Sequence, residues 1–185
     1  MKDISKIKRI GIVGAGENGN TMVDIFASFG FEVLLFDVSA NQIQKSQNLI
    51  RKKSELDIKQ NRISFEDHAK LIERVRFTTE LELLTHTDFV VEAIVDNLDT
   101  KLSFWSSFSS IAPDDIVLVS NSPAENITKL ATVVEKPERF LGINWENSLQ
   151  TNRLIEVIKG EKTFNSILNI VIDLAKSIEK KNVVL

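Results

Sequence analysis

Cysteine and tyrosine are absent from this chain of 185 residues, and histidine occurs only twice, at His68 and His86. Without cysteine there is no disulfide, no thiolate nucleophile and no Cys-based zinc site. Without tyrosine one of the usual proton acceptors is missing. Only three prolines and seven glycines are present, and they form no linker. No internal repeat or low-complexity tract appears, so the sequence reads as one domain. An excess of positive charge is also lacking: the net charge is -3. That argues against nucleic acid as the main partner, because no positive field exists to hold a phosphate backbone. No apolar run approaches the roughly 20 residues that span a bilayer. The charged start, Met1 to Arg9, lacks the apolar stretch of a signal peptide. The expectation is a soluble cytoplasmic protein with no membrane partner.

What is present is an ordinary globular mix, 43% hydrophobic and 26% charged. Ile10-Gly11-Ile12-Val13 reads as a buried strand, and Thr21 to Phe29 as a helix with Met22, Ile25, Phe26 and Phe29 at helical spacing. Glu32 to Asp37 is a second strand. These make a βαβ unit. A long polar helix follows from Ala40 to Lys53, with Ile43, Leu49 and Ile50 inward. Ser64 caps a helix from Phe65 to Glu73. Strands are expected at 76–79, 88–93, 116–119, 139–144 and 154–158, and helices at 97–109 and 162–180. Within the helix at 97–109, Leu98, Leu102, Trp105 and Phe108 face inward. Val183 begins a last strand. Strands alternating with helices predict an α/β fold, a Rossmann-type doubly wound sheet, mostly parallel, with flanking helices.

The loop Gly14-Ala15-Gly16-Glu17-Asn18-Gly19 joins the first strand to the first helix. A lone G-x-G-x-x-G arises by chance in many chains, but here its setting is right. Gly14 makes the tight turn, Gly16 lets a pyrophosphate approach the backbone, and Gly19 lets helix and strand pack closely. The helix N-terminus offers free N–H groups and a positive dipole end. Asp37 ends the second strand 18 residues after Gly19. A carboxylate there accepts from both ribose hydroxyls and repels a 2′-phosphate, which favours NAD over NADP. The other readings are FAD, or a glycine turn that binds nothing.

Several further stretches carry a resemblance. GIVGAGENG, Phe36-Asp37, DFVVEAIVDNLDTK, SNS at 120–122, PERFLGIN and RLIEVIKG occur in order. Together they resemble the NAD-binding domain of the 3-hydroxyacyl-CoA dehydrogenase family over Ile7 to Leu185. The resemblance implies oxidation of the 3-hydroxyl of an acyl thioester, on CoA or a carrier protein, with hydride passing to NAD. It places this chain in fatty acid metabolism. It implies cofactor contacts at Asp96, Lys101, Asn121 and Asn147. It also implies that residues 1–185 form the NAD-binding Rossmann domain and that the family's C-terminal helical domain is absent. A partner subunit or homo-oligomer would then complete the site. Arg51-Lys52-Lys53 can meet CoA phosphates, or form a solvated helix face.

The departures from the family fall on its chemistry. Asn144 stands where the family has its catalytic histidine, and an amide takes no proton at neutral pH. Glu156, which matches the glutamate that orients that histidine, is kept. Pro123 replaces the substrate-contacting serine. No metal ligand set is apparent. Neither His68 nor His86 is marked for catalysis; Glu146 and Glu156 are the carboxylates that can serve as base. Two functions follow: an NAD-dependent dehydrogenase with an altered site around Asn144 and Glu156, or a catalytically silent NAD(H) sensor or regulatory subunit.

Overall fold

A computed structural model describes residues 3–95, 97–145 and 154–185. The first βαβ unit is β1 (Arg9–Val13), α1 (Glu17–Ser28) and β2 (Glu32–Phe36). There follow α2 (Ala40–Lys59), α3 (Phe65–Glu73), β3 (Val75–Thr78), β4 (Phe89–Glu92), α4 (Leu98–Ile111) and β5 (Val117–Asn121). The chain continues through α5 (Ala124–Ala131), β6 (Phe140–Asn144), β7 (Leu154–Ile158), α6 (Asn165–Ser177) and β8 (Lys181–Val184). The strands form one sheet in the order β3-β2-β1-β4-β5-β6-β7-β8. Every pair is parallel except β6 with β7. The strand order reverses between β1 and β4, opening the crevice where ligands of such sheets bind.

The central strands are largely apolar because both faces are covered. Successive residues alternate between two cores. Ile10, Ile12, Val33, Leu35, Phe89, Val91, Val117 and Val119 pack with Met22, Val23 and Phe26 of α1 and Val171 and Leu174 of α6. Val90, Leu118 and Phe140 pack on the other face with Trp105 and Phe108 of α4 and Ile127 and Leu130 of α5. Burying each such side chain contributes roughly 1.5–3 kcal/mol.

Four differences from the sequence reading have local causes. Helix α1 begins at Glu17, four residues before the apolar periodicity starts, because the end of the glycine loop is already its first turn. Helix α2 runs on to Lys59 and stops at Asn61, whose φ of 56° is the left-handed conformation that ends helices. Leu49, read as inward, is 52% exposed, whereas Ile43 and Ile50 are buried. In α4, Trp105 and Phe108 are buried, and Leu98 and Leu102 are partly buried against the same core. The short helix α5 carries too few residues to declare a period and was not anticipated. Ser64 does cap α3, accepting from Asp67 N. Among the described residues no helix is long and apolar enough to cross a membrane.

Candidate functional site

The glycine loop leaves β1 at the sheet's crevice, and its geometry follows from contacts at each residue. Gly14 has φ 103°, and a Cβ there would lie 2.9 Å from the Ala93 carbonyl oxygen. A Cβ on Gly19 would lie 1.8 Å from the Gly14 carbonyl oxygen, so helix and turn approach closer than any side chain permits. A Cβ on Gly16 would meet nothing within 4 Å. The loop is therefore packed at its first and third glycines and open at its second. Glu17 and Asn18 lie in the first turn of α1, where backbone N–H groups lack intrahelical acceptors.

Asp37 follows β2 and is half-buried. Its Oδ2 accepts from Ala15 N at 2.8 Å and its Oδ1 from Ser39 N at 2.8 Å. A carboxylate has about four lone-pair sites, so two hydrogen bonds leave acceptor capacity for a ribose. The acid expected to read the ligand thus also fastens the loop. A cavity of about 750 Å³ opens beside it. Gly14, Gly16 and Asp37 line one side, and Val95, Thr100 and Phe104 another. This volume falls within the range of small-molecule and cofactor sites.

Beyond the cavity, the ends of β4 and β5 hold a buried polar cluster. Lys101 is 1% exposed and Glu92 0%, with Nζ 2.9 Å from Glu92 Oε1. Lys101 also donates to the Asn121 carbonyl at 2.7 Å. Glu92 accepts from Ile94 N at 2.7 Å and from the Ser120 hydroxyl at 2.6 Å. The Ser120 and Ser122 hydroxyls are 3.0 Å apart. Burial pushes the Glu92 carboxyl up, opposed chiefly by the Lys101 ammonium and then by the Ser120 hydroxyl. Lys101 is thus turned inward, and its two acceptors among the described residues take two of its three N–H groups. Periodicity places Lys101 on α4 but does not reveal Glu92 as its partner.

Across the one antiparallel pair among the described strands, Asn144 of β6 stands directly opposite Glu156 of β7. Asn144 Nδ2 donates to Glu156 Oε2 at 2.8 Å. The glutamate therefore has a partner, but that partner is an amide. Asn121 Oδ1 accepts from Trp145 N at 2.9 Å, tying β5 to the end of β6. Pro123 stands at the N-cap of α5. Three residues expected at the site, Asp96, Glu146 and Asn147, lie outside the described residues. His86 precedes β4, at the end of the sheet away from the glycine loop, and His68 lies on α3. Arg51 and Lys52 are exposed on α2, and Lys53 pairs with Asp24.

The glycine loop, the acid after β2 and the cavity fit a dinucleotide: open backbone where phosphates approach, free N–H groups and a carboxylate beside the sugar pocket. The comparisons agree. The family model described as 3-hydroxyacyl-CoA dehydrogenase, NAD binding domain, matches residues 9–185. A 3-hydroxybutyryl-CoA dehydrogenase of Bradyrhizobium diazoefficiens is 28% identical over 176 residues, covering 93% of this chain and 60% of the relative. The fatty acid oxidation complex subunit alpha of a Psychrobacter species is 28% identical, covering 99% of this chain and 26% of its own length. The crystal structure of (S)-3-hydroxybutyryl-CoA dehydrogenase from Ralstonia eutropha superposes with a TM-score of 0.90 at 29% identity, covering 97% of this chain and 64% of that one. The chain thus spans less than two thirds of the length of these relatives.

Proposed function

The chain belongs to the 3-hydroxyacyl-CoA dehydrogenase family through its NAD binding domain, and from that premise we propose that it serves hydride transfer between NAD and a 3-hydroxyacyl thioester. The observation that carries this reading is the glycine loop, closed at Gly14 and Gly19 and open at Gly16, beside the cavity at Asp37. Gly14, Ala15, Gly16, Glu17, Asn18 and Gly19 would hold the pyrophosphate, and Asp37 the adenosine ribose. Lys101 and Asn121, with Asp96 and Asn147 by resemblance, would serve the nicotinamide side. NAD when bound supplies the hydride acceptor. A thioester of CoA or of a carrier protein is the substrate class, and a partner subunit or second copy would complete the acyl pocket.

Oxidising a carbinol also releases a proton, and the chain must take it. Asn144 has no basic atom to do so. Glu156 is the carboxylate at that corner. Asn144 Nδ2 occupies Oε2, which leaves Oε1 for a substrate hydroxyl. In this reading Glu156 accepts the proton and Asn144 orients it. A carboxylate is a weaker base than an imidazole, so turnover should be slow.

The test is twofold. NADH should raise the unfolding temperature in a concentration-dependent way, since it binds the folded state. NADH mixed with acetoacetyl-CoA should be oxidised slowly, and Glu156→Gln should abolish that oxidation. Stabilisation by NADH with no oxidation would reassign the chain as a silent NAD(H)-binding subunit. Absence of stabilisation would overturn the cofactor assignment itself.

A further inference from the structure

We infer that Asn20 and Ser46 are positioning residues of the phosphate cradle, an assignment that rests on the NAD-binding reading above. Asn20 lies in α1 immediately after the glycine loop. Its Nδ2 donates to the Ala15 carbonyl at 3.0 Å and to the Gly16 carbonyl at 2.8 Å. Ser46, 1% exposed on α2, donates its hydroxyl to the same Ala15 carbonyl at 3.2 Å. The Gly16 carbonyl also accepts Asn20 N at 3.0 Å. Both carbonyls are thereby tied toward the protein.

In a trans peptide the C=O and N–H of one unit point in opposite directions. Holding the Ala15 carbonyl inward therefore aims Gly16 N–H outward. Holding the Gly16 carbonyl inward does the same for Glu17 N–H. Neither N–H has an acceptor among the described residues. Without the side-chain tethers the Ala15 peptide can turn its oxygen outward, and an oxygen there repels a phosphate; the Gly16 carbonyl would keep only its bond from Asn20 N.

Asn20 shows what fixes its own orientation. Its Oδ1 is buried without a hydrogen-bond partner. A buried acceptor left unpaired is unfavourable. Turning the amide over would be worse, because Oδ1 would then face two carbonyl oxygens. The two loop carbonyls thus dictate how this amide sits. The G-x-G-x-x-G pattern stops at Gly19 and assigns neither residue.

The experiment titrates NADH, ADP-ribose and adenosine against the wild type, Asn20→Ala and Ser46→Ala, with thermal unfolding of each protein. NADH and ADP-ribose carry the pyrophosphate; adenosine does not. Asn20→Ala should weaken both phosphate-bearing ligands by about tenfold and Ser46→Ala by about threefold. Adenosine affinity should change by less than about twofold in both. Equal losses for all three ligands would reveal a merely structural role and overturn the assignment, as would unchanged NADH affinity in both variants. Should Asn20→Ala fail to fold, the ligand split in Ser46→Ala decides. A wild type that binds none of the three ligands overturns the NAD-binding reading instead.

Discussion

The two ends of the strand crevice differ in kind. At the β1–α1–β2 end, each motif residue the structure describes has a place in the cradle that its chemistry suits. Gly14 and Gly19 are where side chains cannot fit, and Gly16 is where none is needed. At the β5–β6–β7 end the facing side chains are an amide and a carboxylate, Asn144 and Glu156. They face each other across the antiparallel pair and share a hydrogen bond. The difference teaches that strand register sets which side chains meet, while their residue types set what they can do. Register is fixed by strand pairing and the apolar alternation on both faces; proton acceptance is fixed by one side chain.

The largest expected effect tests the cluster that joins the two ends. Lys101→Met leaves Glu92 buried without its cation and should cost about 3–5 kcal/mol in unfolding free energy, measured by chemical denaturation. Glu92 adds a pH signature. Its folded pKa is raised above the ordinary 4.5, so its contribution is fully present below that value and is lost as pH rises through the folded pKa. The stability difference between wild type and Glu92→Gln should therefore shrink with rising pH across that window. A pH-independent difference would mean the carboxyl titrates alike folded and unfolded.

Next, Gly19→Ala should cost about 3 kcal/mol, because its Cβ collides with backbone rather than a flexible side chain. Gly16→Ala should change stability by less than about 0.5 kcal/mol yet weaken NADH binding measured by titration. Equal effects at the two glycines would erase the distinction between packed and open positions. Asn144→His places an imidazole against Glu156 and should raise NADH oxidation with acetoacetyl-CoA by about a hundredfold. No gain would show that more than the base is missing at that end. The smallest effect is at Asp37. Because its carboxylate also fastens Ala15 N, Asp37→Asn should lose NAD affinity by about tenfold without a matching gain for NADP. NADP binding at the wild-type NAD level would separate ligand reading from loop anchoring.

Much of this was legible in the chain because the signals are local. The Gly14–Gly19 spacing, Asp37 at a strand end and the Ser64 cap each depend on a few neighbouring residues. Boundaries were less legible where no breaker stands, as along α2 beyond Lys53. Inward faces were misjudged at Leu49, where a polar helix leaves a leucine in solvent. Asn20 and Ser46 were invisible because their partners are backbone carbonyls, which no sequence pattern writes down.

By itself the sequence determined the alternation of strands and helices, the glycine turn, the acid after β2 and the presence of an amide at position 144. Each is a property of residue type and spacing. The tertiary structure alone decided that Lys101 turns inward to Glu92, that Asp37 fastens the loop and that Asn144 pairs with Glu156. Those contacts join residues 9, 22 and 12 positions apart. Only the order and register of the strands bring them within a hydrogen bond of each other.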